Sequence, residues 1–229
     1  MLSQNLALMA TLAMAALVPP GGADARLQLR LKPSASFGYS VVTEQKTLSG
    51  DGKKVSESTR LEMPYRLKVV NVTRTSSELE ITQGPMIVRG RSVGRARVTT
   101  SKIDIGGFSG SQAPINFFVC YPKVGVVKGT TWKAPFFGGA PLPAGLTAVY
   151  TFRSVSSDGK FAIVDLKSSA VGASKVTGVG KLFIRMSNGV LSHGNAKFDI
   201  AFIRPDPKDR TKMSVNSRVS LSYRISEIH

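Results

Sequence analysis

The chain has 229 residues, 31 basic against 14 acidic side chains and a formal net charge of +17, with one cysteine and two histidines. A single cysteine excludes an internal disulfide scaffold, so packing and hydrogen bonds must hold the fold. Two histidines, one of them the terminal His229, exclude a metal site built on converging histidines.

In chain order, the first element is a leader. Residues 6–18 carry no charge and are mostly Leu, Ala and Met. Pro19-Pro20-Gly21-Gly22 then breaks any helix, and Ala23-Asp24-Ala25 supplies a small-x-small cleavage pattern. An apolar run of that length falls short of the ~20 residues of a spanning helix. The pattern predicts a cleaved secretory signal over 1–25, although no Lys or Arg precedes Leu6. The mature start is Arg26 and the destination is secreted or periplasmic, in the cell envelope. No cysteine lies near the cleavage site for lipid attachment, and no later stretch is long and apolar enough for a transmembrane helix. Without Asp24 the remaining 204 residues hold 31 basic and 13 acidic side chains, a formal +18. That length allows one β-rich domain over 26–229, or two related halves, 26–113 and 114–229.

Apolar and polar residues alternate through most of this body, the period of half-buried strands. Leu27, Leu29 and Leu31 alternate ahead of Lys32-Pro33, as do Leu61, Met63, Tyr65, Leu67 and Val69 further on. At the C-terminus Val215, Val219, Leu221, Tyr223 and Ile225 share one face. Ser49-Gly50-Asp51-Gly52, Ser157-Asp158-Gly159 and Ser187-Asn188-Gly189 read as hairpin turns, because Asn-Gly and Asp-Gly accept positive φ. The predicted fold is all-β, an antiparallel sandwich or curved half-barrel built from β-meanders. A strand, turn, strand unit at 65–81 is echoed at 150–163, which is the basis for the two-halves reading.

Arg89, Arg91, Arg95 and Arg97, followed by Lys102, form the densest basic run. The four arginines share parity, so an uninterrupted strand would set them on one face. Gly90 and Gly94 either admit a close approach or mark bulges that break that parity. Such a face would attract polyanions, although Lys and Arg also blunt edge strands against aggregation. Cys120, in Phe117-Phe118-Val119-Cys120-Tyr121, reads as a buried inert thiol. Trp132 reads as a core anchor. Residues 135–146 are uncharged and rich in Pro and Gly. Phe136, Phe137, Leu142 and Leu146 there form either a crossover packed on the core or an apolar flap over a ligand.

These elements resemble a class of exported bacterial β proteins. The resemblance rests on Leu29-Arg30-Leu31-Lys32-Pro33, on Phe37-Gly38-Tyr39, on the spacing of Val126, Gly129 and Trp132, and on the Gly-rich strand 178–183 leading to Asn188-Gly189. It implies an exported β architecture and no particular activity.

No catalytic signature stands out. Phe108-Ser109-Gly110 has Ser111 where a nucleophile elbow needs Gly, and Gly180-Lys181 lacks the upstream glycine of a phosphate loop. His193 reads as an exposed turn residue. The acidic residues are thinly scattered, so no enzyme, metal or cofactor is expected. The reading is an exported binding protein for an envelope polyanion or amphiphile, an anionic lipid or acidic polysaccharide. Its basic face would be Arg89, Arg91, Arg95, Arg97 and Lys102, and the alternative is a structural or protein-interaction module docking through an edge strand. An outer-membrane barrel fits less well, because charges are spread along the chain. Nucleic acid is disfavoured by export and by the scarcity of aromatics near the arginines.

Overall fold

The computed structural model describes residues 26–104, 107–108, 119, 121–122, 125–136, 142, 146–171, 174–205, 211 and 213–228. The expected all-β fold is what forms. Among the described residues there are thirteen strands and no helix: β1 Ser36–Ser49, β2 Val55–Val72, β3 Ser76–Gln83, β4 Met86–Val88, β5 Arg91–Val93, β6 Arg97–Asp104, β7 Gly107–Phe108, β8 Thr131–Pro135, β9 Thr147–Val155, β10 Phe161–Val171, β11 Ser174–Arg185, β12 Leu191–Pro205 and β13 Met213–Ile228. They form one antiparallel sheet in the order β7-β6-β3-β2-β1-β13-β12-β11-β10-β9-β8, with β4 and β5 appended to β2. The sheet does not close into a barrel: β8 lies at one edge, and β6 with the short β7 at the other.

Alternation makes one face of this sheet apolar from edge to edge. Ile103 on β6, Leu79 on β3, Leu67 on β2, Tyr39 on β1, Leu221 on β13, Phe198 on β12, Ile184 on β11, Val164 on β10, Phe152 on β9 and Trp132 on β8 are all buried. Crossing segments cover that face. Phe136, just after β8, packs its ring 5.0 Å from Phe198 on β12. Four strand spacings separate β8 from β12, about 19 Å in a flat sheet, more than one residue and its ring can reach, so the sheet curves to bring its β8 edge towards β12. At its described apolar residues the segment 135–146 therefore faces the core and is not an exposed flap. Phe136, Leu142 and Leu146 are buried, and the Phe136 N–H donates to the Leu146 carbonyl at 2.6 Å. Phe137 lies outside the described residues. Trp132 is the expected anchor, stacked on Tyr150 at 5.5 Å.

Turn chemistry sets the register. Ser49-Gly50-Asp51-Gly52 joins β1 to β2, and Ser156-Ser157-Asp158-Gly159 joins β9 to β10. In each, the aspartate accepts from a serine hydroxyl two residues back and from a backbone N–H two residues on. At 188–189 the turn also receives another segment. Arg30 N–H donates to the Asn188 carbonyl, Tyr121 Oη donates to the Gly189 carbonyl, and the Gln28 carbonyl lies where a Gly189 Cβ would stand. Here the expected strand at Leu27, Leu29 and Leu31 fails. Only an isolated bridge, Leu27 to Val126, forms, and Leu29 and Leu31 lie half-buried against the core. The alternation there reflects an extended segment laid on the apolar face, ended by Pro33, which has no N–H for a ladder.

The echoed units are both hairpins, β2–β3 and β9–β10, and each carries a register shift. The two parts of the chain share one sheet through the β1–β13 pairing, from Gly38 opposite Ile228 to Ser49 opposite Ser217.

Candidate functional site

The basic run does not form one strand. Val88 pairs with Arg91, leaving Arg89 and Gly90 as the two turn residues of a hairpin, with φ of 50° and 77°. Positive φ at both positions is the type I′ pattern that matches the twist of the flanking strands. Gly94, at φ 85°, breaks the backbone again before β6. The single-face expectation is thus corrected. Arg89 lies in the turn, Arg91 on β5, Arg95 in the β5–β6 connection and Arg97 on β6. All are exposed, as is Lys102.

Register shows which faces they take. Leu61 opposes Val88, and Val88 opposes Arg91, so Arg91 stands on the apolar side of the sheet. Gln83 opposes Arg97 on that same side, next to the pair Tyr65–Gln83. Lys102 opposes Glu78 and faces the other way. Arg89, Arg91, Arg95 and Arg97 therefore follow one another along the β4–β6 stretch, here called the tip, with Arg91 and Arg97 on the apolar side and Lys102 on the other. None of the five takes part in the ion pairs among the described residues.

The tip is also apolar. Leu61, Met63, Met86 and Val88 are only half-buried, and Val93, opposite Met86, is 47% exposed. Beneath it Gln83 Nε2 and the Tyr65 hydroxyl both donate to the Met63 sulfur, at 3.4 and 3.6 Å. Burial pushes the Tyr65 phenol up to about 12, so it stays neutral. At this place exposed guanidinium groups flank exposed and half-buried aliphatic surface, with no carboxylate ion-paired to them among the described residues.

Three features escaped sequence reasoning. His193 is exposed, as expected, but sits on β12 rather than in a turn, stacked on Phe183 at 4.3 Å with Phe161 edge-on at 5.7 Å. Partial burial, and then the Arg185 charge, holds its imidazole below the ordinary value, with Glu227 opposing. Arg185 and Glu227 form an ion pair less exposed than the other pairs among the described residues. Lastly, Lys133, Lys167 and Lys197 fall into one row across β8, β10 and β12. They are distant in sequence, and only the strand register reveals them. Cys120, Ser109 and His229 lie outside the described residues. Among the described residues no cluster of His, Cys, Asp or Glu is arranged to hold a metal, and no helix is long and apolar enough to cross a membrane.

Comparison with known proteins adds a fold and no family. No family model matches the chain, and no curated protein matches it. Among solved structures, that of lipid–protein interactions in lipovitellin resembles it with a TM-score of 0.52 over 87% of this chain, at 9% sequence identity. The chain spans 26% of that lipovitellin chain. At that identity the likeness is one of fold: a large antiparallel sheet with one face buried.

Proposed function

We propose that this chain is a non-catalytic binding protein of the cell envelope that docks on anionic lipid through the β4–β6 tip. The observation that carries the reading is the succession along β4–β6 of Arg89, Arg91, Arg95 and Arg97, all exposed, with the exposed Val93 among them. Guanidinium groups suit phosphate, because their planar fork donates two hydrogen bonds at once. An aliphatic side chain among them enters the boundary between headgroup and acyl chain. The formal +18 of the body that follows residues 1–25 draws the protein to such a surface before contact. Lipovitellin, which shares the fold, is a protein with described lipid–protein interactions, and that supports a lipid over other polyanions. In this reading residues 1–25 are the leader that takes the chain out of the cytoplasm, as in the exported class it resembles, and the buried Phe136, Leu142 and Leu146 have no direct part in binding.

Sedimentation with vesicles tests it. Vesicles of mixed phosphatidylglycerol and phosphatidylcholine should carry the protein down at low salt and release it as salt rises, whereas pure phosphatidylcholine should not. Each cation near an anionic surface contributes about 1 kcal/mol. Replacing Arg89, Arg91 and Arg95 together by Gln should therefore weaken partitioning on the order of a hundredfold. Binding that ignores both salt and these arginines would overturn the proposal.

A further inference from the structure

The polar face of β8–β12 carries a second feature, independent of the tip. Lys133 on β8 opposes Val149 on β9, which opposes Lys167 on β10. Lys167 in turn opposes Val179 on β11, and Val179 opposes Lys197 on β12. Residues directly opposite share a face, so lysine and valine alternate along a line perpendicular to the strands. All three lysines are exposed, and Val179 is 58% exposed although it lies on the polar face. The row floors a trough of about 700 Å³, bordered by Thr147, Thr177 and Asp199.

Three particulars define what would lie in it. The cations recur every second strand, about 10 Å apart. Neighbouring rows carry mixed or opposite charge: Asp165 stands opposite Lys181 on one side and is held by Arg153 at 2.8 Å, while Asp199 stands opposite Thr177 on the other. The row also ends abruptly, because beyond Lys197 come Ser222 and then Glu44, itself paired with Arg60. Cations in single file between flanking carboxylates favour a thin linear polyanion and disfavour a flat anionic surface, which would press Asp165 and Asp199 against like charge.

We propose that the Lys133–Val149–Lys167–Val179–Lys197 row binds an extended acidic polysaccharide in which a carboxylated sugar alternates with a neutral one. Two sugars of an extended chain cover a length comparable to two strand spacings, so successive carboxylates meet successive lysines. The neutral sugars between them rest on Val149 and Val179, whose methyl groups match the C–H face of a pyranose ring. The row spans four strand spacings, about 19 Å, which accommodates five or six sugars.

The probes are hyaluronan oligosaccharides, which carry one carboxylate per disaccharide, with oligogalacturonates (one on every sugar) and neutral dextran fragments for contrast. Calorimetry on the full chain should show hyaluronan affinity rising with length up to about six sugars and then levelling, as the row's length sets. Lys133→Gln, Lys167→Gln and Lys197→Gln together should cost on the order of tenfold. Val149→Ser with Val179→Ser, which leaves charge unchanged, should weaken binding as well. Lys46→Gln, Lys175→Gln and Lys181→Gln together remove equal charge from the same face off the row and should cost far less. Thermal melts identify any variant that has simply unfolded. An equal loss in the off-row variant, tighter binding of galacturonate than of hyaluronan, or no binding by the intact protein at low salt would each overturn the proposal. The tip variant should keep hyaluronan binding. Vesicle binding without polysaccharide binding would sink this inference and leave the lipid reading standing.

Discussion

His193 lies flat on Phe183 with Phe161 at its edge, and the folded protein favours its neutral form. Its folded value is depressed, so its contribution to stability is present above the ordinary histidine value of about 6.5 and lost as pH falls through the folded one. Melting temperatures at about pH 7.5 and pH 5.5, either side of that ordinary value, should therefore drop more for the wild type than for His193→Gln. Equal drops would mean that the ring titrates as it does in the unfolded chain. Asp51 and Asp158 have the same sense at lower pH. Hydrogen bonds from Ser49 and Ser156, then from backbone N–H groups, hold both carboxyls low. Their share of turn stability is lost as pH falls below the usual carboxylate range. The turns were legible in the sequence because Ser-x-Asp-Gly supplies its own acceptor and its own positive φ. His193 was not, because nothing in Leu191-Ser192-His193-Gly194 points to a phenylalanine on the neighbouring strand.

For the strands, alternation revealed which side chains face the core but not which segments join the sheet. Leu61–Val69 and Val219–Ile225 behave as expected, whereas Leu27–Leu31 has the same pattern and lies across the sheet instead. Burial on one side gives a period of two in both cases, and pairing partners are not written locally. The arginine run failed for a related reason. Gly90 signalled an interruption, but its partner in the turn is Arg89, a residue type whose presence at positive φ no propensity marks. Close packing between strands makes a sharper prediction. A Cβ on Gly178 of β11 would overlap the ring of Phe198 on β12, the ring that also receives Phe136. Gly178→Ala should cost about 1–3 kcal/mol of stability in denaturant unfolding. Phe198→Leu should cost less in the Gly178→Ala background than alone. Strict additivity would show that the two sites do not meet.

For the whole molecule, the fold class was legible from composition and turns, and its topology was not. The thirteen strands of the described residues, with one apolar face, admit many orders, and the order that forms depends on contacts between residues far apart in sequence. Both candidate binding features inherit that dependence. The tip needs β4 to find the side of β2, and the lysine row needs five strands, β8 to β12, in register. The pairing of β1 with β13 has a further consequence, in time rather than in space. β13 alone zips β1 to the other part of the sheet, so the centre of the sheet cannot form until β13 is available. Such non-local closure is slow, in the range of milliseconds to seconds or longer for all-β chains. A stopped-flow refolding experiment on the full chain should find the final gain of protection in β1 and β13 together, with β9–β12 protected earlier. A chain that delays its central seam in this way leaves the two parts of its sheet unjoined until β13 has been made.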